Sequence, residues 1–170
     1  VCFYPMLTDL LSESHVARML DRLTDPAHFA TPWPVPSSSV SDPLFNADAE
    51  WKGKRHNCPW NGRVWPMTNS HVIDGLIRQW RLRDTAPDSP RHRAGALAAD
   101  MLIKFARMMY HDGDLARPNC YEHYNPLTGH ACEYRGIDDY QHSWIIDLII
   151  RGVMGVDVGH TPQSGRTSRV

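Results

Sequence analysis

The chain has 170 residues, enough for one domain with a buried core, and its 42% hydrophobic and 22% charged residues are typical of a globular protein. Its formal net charge is −1 and its basic residues are scattered, so it lacks the extended positive field that recruits nucleic acid or anionic membranes. No apolar run reaches the roughly 18 to 20 residues of a membrane-spanning helix. We expect neither nucleic-acid nor membrane binding, while compartment and oligomeric state stay open.

The first two predicted helices have one apolar face each. In the first, the i, i+3, i+4, i+7 spacing of a helical stripe is occupied by Val16, Met19, Leu20 and Leu23. Ser12 or Ser14 is suited to cap its start, and Pro26 ends it. In the second, Pro66 fits the first turn, and the buried stripe consists of Val72, Ile73, Leu76 and Trp80.

The third and fourth predicted helices are more apolar. The third has a face formed by Leu97, Ala98, Met101, Leu102, Phe105, Met108 and Met109, and it is stopped by Asp112 and Gly113. The fourth covers about residues 142–154, is apolar on nearly every side, and ends at Gly155. Such a helix is normally buried by neighbours on several sides.

Two long segments without helical periodicity separate these helices. Residues 24–65 hold eight Pro or Gly residues and four Trp, and residues 113–141 hold four Tyr. Aromatic-rich loops of this length are typical of ordered segments that line a site, because disordered segments are poor in aromatic residues. The pattern predicts an all-α domain over residues 1–160, better suited to a helical toroid than to a four-helix bundle, and a polar tail over 161–170.

The most informative motif is Tyr-Glu-His-Tyr-Asn-Pro-Leu-Thr-Gly at residues 121–129. Asn-Pro and Thr-Gly are turn signals, so Glu122 precedes a tight turn among aromatic rings. Sugars offer apolar C–H faces and hydroxyl groups, which aromatic rings and carboxylates complement. From the residues alone, Glu122 is either a general base or a hydrogen-bond acceptor.

Three segments, in the same order, resemble glycoside hydrolase family 63 and its mannosylglycerate-hydrolase-like relatives, which are six-hairpin glycosidases. The first is Thr-Pro-Trp-Pro-Val-Pro-Ser at 31–37, similar to a Pro-rich loop of the family. The second is Trp-Asn-Gly-Arg-Val-Trp-Pro-Met-Thr-Asn at 60–69, similar to the segment that opens an inner helix. The third is the 121–129 motif, followed by Asp-Tyr-x-x-Ser-Trp at 139–144.

The resemblance implies the last hairpins of an (α/α)6 toroid and inverting hydrolysis of an O-glycosidic bond, with an α-linked glucose or mannose unit as the expected substrate. It makes Glu122 the general base and places the general acid upstream of anything in this chain. The sugar subsite would be shaped by Trp60, Trp65, Tyr121 and Tyr124. A rival interpretation is a non-catalytic carbohydrate-binding or structural remnant that keeps the aromatic platform without the acid.

Three further residues are candidate ligand contacts, each with a structural alternative. Trp33 is either a sugar platform or core packing. Asn69, one helical turn after Trp65, can reach a substrate hydroxyl or bond a neighbouring backbone. Arg63 is either a clamp on the substrate or a surface charge.

We predict no cofactor and no metal. Cys120, His123, His130 and Cys132 are zinc-capable, but the short spacing between the two pairs and the His-x-Cys arm disfavour a zinc site. A disulfide between Cys120 and Cys132 is the more plausible alternative in an exported protein.

Overall fold

The computed structural model describes residues 2–49, 59–83, 86–110, 114–118, 120–131 and 144–156. Helices account for its regular structure: α1 (Glu13–Thr24), α2 (Pro66–Arg81), α3 (Pro90–Met108) and α4 (Trp144–Leu148), which continues as a π-helical turn (Ile149–Val153), with 3-10 turns at Tyr4–Leu7 and Pro59–Asn61. Within these ranges, β-pairing is limited to isolated bridges. The all-α prediction is confirmed, and the helices are compatible with part of a helical toroid.

Helix α1 begins and ends where the sequence predicts. The backbone of Ser12 is extended, and its side chain accepts a hydrogen bond from the His15 N–H at 3.4 Å, as an N-cap does. The helix ends at Asp25, whose extended backbone suits a residue that precedes proline. The buried face consists of Val16, Leu20 and Leu23.

Helix α2 is the central element, because α3, α4 and the Tyr4–Leu7 turn all pack against it. Gly75 permits the close approach of that turn: a Cβ at this position would lie 3.0 Å from Met6 Cβ. The side chain of Gln79 then donates hydrogen bonds to the carbonyl oxygens of Met6 (2.7 Å) and Thr8 (2.8 Å). The sequence had not predicted the turn, which closes the core over α2.

The fourth helix is covered incompletely, although its sequence is apolar on nearly every side. Leu148 is buried, whereas Ile146, Val153 and Met154 are 58%, 66% and 65% exposed. The physical reason is that α2 and α3 cover this helix on one side. Gly155, with φ of +69°, ends it as predicted. The predicted start at residues 142–143, the stop at 112–113 and the tail at 161–170 lie outside the described residues.

None of the described helices is both long and apolar enough to span a membrane.

The packing of α2 on α3 predicts an unusual effect of a helical Gly→Ala change. A Cβ on Gly95 would lie 2.3 Å from the Trp80 ring, which the Arg83 guanidinium covers at 4.0 Å. Gly95→Ala should therefore destabilise the fold by about 1–3 kcal/mol in urea unfolding, although alanine favours a helix by about 1 kcal/mol. In a Trp80→Ala background the same change should stabilise the fold. Equal effects in both backgrounds would contradict this packing.

Candidate active site

The second and third sequence motifs meet at one isolated antiparallel bridge. The Val64 N–H donates to the Tyr124 carbonyl oxygen at 2.8 Å, and the Tyr124 N–H donates to the Val64 oxygen at 2.9 Å. Both side chains are fully buried. The bridge holds the segment that contains Trp60 and Trp65 beside the segment that contains Glu122, which is two residues from Tyr124.

An aromatic stack adjoins this bridge, because Trp65 directly follows Val64 in the chain. The rings of Trp60 and Trp65 are parallel within 3°, with centroids 3.9 Å apart, and the Trp65 centroid is 5.0 Å from that of His123. Trp65 is buried and its indole N–H donates to the Pro59 carbonyl oxygen at 3.3 Å, whereas Trp60 remains 43% exposed. Trp60 is thus the ring that presents a free surface, and Trp65 is the ring that supports it.

A cavity of about 350 Å³ opens beside Trp60. Its other walls include Phe3, Tyr4, Phe29, Ser37, Asn69 and Val72. The structure therefore brings the two predicted ligand contacts Trp60 and Asn69 to one concavity. Glu122 is not among its lining residues and lies on the other motif segment.

Asn69 bonds neighbouring backbone groups, which was the structural alternative to a substrate contact for this residue. Its side-chain nitrogen donates to the Val35 carbonyl oxygen at 2.9 Å and to the Trp65 oxygen at 3.0 Å. These bonds fasten the start of α2 to the Pro-rich loop. Ser37 makes a second attachment, because its N–H donates to the Arg63 oxygen at 3.0 Å.

Arg63 is 3% exposed, so the structure places this predicted substrate clamp in the interior. Its Nε donates to Nδ1 of the buried His123 at 3.1 Å, and a second nitrogen donates to the Ala47 carbonyl oxygen at 2.9 Å. Burial, reinforced by the positive charge of Arg63, lowers the pKa of His123 to about 3. His123 is therefore neutral at physiological pH and can act as the acceptor for Arg63.

Glu122 is half-buried, and burial raises the pKa of its carboxyl group above the ordinary value of 4.5. Within the part of the chain that the structure describes, Glu122 forms no ion pair, and Arg117 in particular does not reach it. Arg135, the other cation near it in sequence, lies outside the described residues. A raised pKa makes a carboxylate a stronger proton acceptor once it is ionised.

The two tyrosines of the motif lie at different depths. Tyr121 is half-buried, whereas Tyr124 is fully buried, with its hydroxyl accepting the Tyr121 N–H at 2.7 Å and contacting Met109 Sδ at 3.6 Å. Burial raises the pKa of Tyr124. Of the two, Tyr121 keeps accessible surface, and Tyr124 packs beneath the segment.

The turn after Glu122 is held by Asn125. Its side-chain oxygen accepts the N–H groups of Leu127 (2.8 Å) and Thr128 (3.2 Å), and its side-chain nitrogen donates to Asp48 Oδ1 at 2.7 Å. Gly129 adopts φ of +75°, which favours glycine. A Cβ there would lie 2.4 Å from the Trp33 ring, so this predicted sugar platform packs against the turn.

The zinc and disulfide alternatives rest partly on Cys132, which lies outside the described residues. Cys120 carries a free thiol, and Nδ1 of His123 is occupied by Arg63. Within the described ranges, no three metal-ligating side chains cluster.

The sequence did not reveal two of the site's contacts: the Arg63–His123 pair and the Asp48–Asn125 hydrogen bond. Their members are 60 and 77 positions apart. No local spacing relates such positions.

The buried His123 predicts acid sensitivity. Because its folded pKa of about 3 is below the ordinary 6.5, protonation favours the unfolded state as pH falls through this interval. Between pH 6.5 and about pH 5, His123 should therefore remove up to about 2 kcal/mol of unfolding free energy. His123→Asn retains an acceptor for Arg63 but does not titrate, so its unfolding free energy should vary less with pH. Parallel stability profiles of the two proteins would contradict the assignment.

Comparison with known proteins shows the family and the fold of the chain. The family model described as "Mannosylglycerate hydrolase MGH1-like glycoside hydrolase domain" matches residues 1–143. A Borreliella burgdorferi protein, described as uncharacterized, is 30% identical over 162 residues, which are 93% of this chain and 31% of that protein. A solved structure titled "Sialidase" matches 88% of this chain and 13% of its own, with a TM-score of 0.66 at 17% identity, and so shares the fold. The chain spans about a third of the relative's length, and it belongs to the MGH1-like glycoside hydrolase family.

Proposed function

We propose that this chain carries the general-base half of an inverting glycoside hydrolase that cleaves O-glycosidic bonds, with a carbohydrate that contains an α-linked glucose or mannose unit as substrate. One observation carries the proposal: the Val64–Tyr124 bridge holds the Glu122 segment beside the Trp60–Trp65 stack. A sugar that lies on the exposed Trp60 ring then has a carboxylate on the neighbouring segment.

Glu122 is assigned the base role because of its environment. In an inverting reaction the base removes a proton from the attacking water while a carboxylic acid protonates the leaving oxygen. Burial raises the Glu122 pKa, which strengthens the carboxylate as a proton acceptor. Among the described residues, Glu122 also has no ion-pair partner. A salt-bridged carboxylate would be a weaker base.

The general acid belongs, in this proposal, to a part of the enzyme outside this chain. Inverting enzymes separate their two carboxyl groups by roughly 6.5–9.5 Å to admit the attacking water. The family resemblance assigns the acid to an earlier helical hairpin, and this chain spans 31% of the length of its relative. Two of the described carboxylates have other contacts: Asp48 binds Asn125, and Asp147 pairs with Arg151 at 3.0 Å.

The second candidate function is carbohydrate binding without catalysis. The observation that favours it is the Trp60 ring, which is 43% exposed beside a cavity of about 350 Å³ and can hold a sugar face without any acid. The two candidates share the platform and differ in the role of Glu122.

The substitution Glu122→Gln in the complete protein separates the two candidates. It should lower kcat by about 10³-fold or more and change ligand affinity little, because a base acts in the transition state. Turnover of a glycoside panel and ligand binding by calorimetry provide the two readouts. Glu13→Gln is the matched control. Glu13 lies on α1, outside the two motif segments, and pairs with Arg91 of α3 at 3.0 Å.

Near-normal turnover of Glu122→Gln would remove the base assignment. A wild-type protein that binds saccharides but hydrolyses none would favour the binding function. In both cases Trp60→Ala should weaken binding by about tenfold or more, since the platform serves both functions.

A further inference from the structure

One loop, Asn46–Ala49, forms hydrogen bonds with both segments that the bridge joins. The Asn46 N–H donates to the Asn61 carbonyl oxygen at 2.8 Å. Gly62 lets the loop pass close by, because a Cβ there would lie 2.7 Å from the Asn46 oxygen. The loop is thus fixed on the Trp60–Trp65 segment before it contacts the segment of Glu122.

The loop is linked to the 121–129 segment once through Arg63 and once directly. The Ala47 carbonyl oxygen accepts from Arg63 at 2.9 Å, and Arg63 in turn donates to His123 at 3.1 Å. Asp48 Oδ1 accepts the Asn125 side-chain N–H directly at 2.7 Å. These contacts fall one and three residues after Glu122.

The orientation of the Asn125 amide is fixed by its other bonds. Its oxygen accepts two backbone N–H groups of the turn, so its nitrogen must face Asp48. The acceptor is a carboxylate, and hydrogen bonds to an ionised group are shorter and stronger than neutral ones. Asp48 therefore provides the strongest single link from the loop to the turn that follows Glu122.

We propose that Asp48 is a positioning residue that fixes Glu122 relative to the Trp60–Trp65 platform by anchoring Asn125. This inference rests on the proposed function of Glu122. Asp48 is exposed and acts through Asn125, with no part in the proton transfer itself. Without the anchor, the turn and the preceding Glu122 can move away from the platform, and a displacement of about 1 Å at a catalytic group costs up to about a hundredfold in rate.

The test compares Asp48→Ala, Asp48→Asn and Asp42→Ala in the complete protein. Asp48→Ala removes the acceptor and should lower kcat about tenfold while KM changes less than about twofold. Asp48→Asn keeps an acceptor oxygen and should recover to within about threefold of the wild-type kcat. Asp42 caps a turn of the same long connection by accepting the Leu44 N–H at 2.8 Å, so its removal should leave kcat unchanged.

A second readout needs no turnover. Since burial raises the pKa of Glu122, a loosened segment should let water in and lower that pKa towards 4.5 in Asp48→Ala, as measured by NMR titration of the labelled carboxyl group. The pKa in Asp48→Asn and Asp42→Ala should match the wild type.

The outcomes separate the two proposals. An unchanged kcat and an unchanged Glu122 pKa in Asp48→Ala would overturn the positioning role, even if Glu122→Gln abolishes turnover. Equal losses in Asp48→Ala and Asp42→Ala would also overturn it, because they indicate a general loss of loop structure. Normal turnover in Glu122→Gln would instead overturn the base assignment itself.

Discussion

The pair of backbone hydrogen bonds between Val64 and Tyr124 is the constraint on which the candidate site depends. Antiparallel pairing places residues on one side of the bridge opposite each other, which explains why Trp65 meets His123 at 5.0 Å. Both bridge residues are fully buried, so the bridge is also part of the core. A shift of register here would separate Trp65 from His123 and expose the core at the same time.

The polar groups packed around the bridge make this arrangement specific. A buried arginine is costly unless its donors find acceptors, and Arg63 directs two of its nitrogens to His123 and Ala47. His123 can accept because burial and the nearby charge keep it neutral. The loop that accepts a hydrogen bond from Arg63 also supplies Asp48 to Asn125, so the interior bonds and the surface turn are ordered together.

Sequence periodicity predicted α1, α2 and α3 well because each has one apolar face against a common core. For the fourth helix, periodicity alone does not show which side is covered, since an all-apolar sequence indicates the need for covering surface but not which neighbours provide it. The motifs predicted Trp60 and Glu122 as site residues, but they did not distinguish exposed from buried rings. Trp65 and Tyr124 proved buried, and the Arg63–His123 and Asp48–Asn125 hydrogen bonds join residues 60 and 77 positions apart.

The most direct test is a crystal structure of the complete Glu122→Gln protein with a bound oligosaccharide. We expect a pyranose ring against the exposed face of Trp60 and a water molecule within about 2.6–3.2 Å of the residue 122 side chain, on the side of the sugar opposite the general acid. A saccharide bound away from both Trp60 and residue 122 would contradict the shared site. In that case the family resemblance would extend to the fold alone.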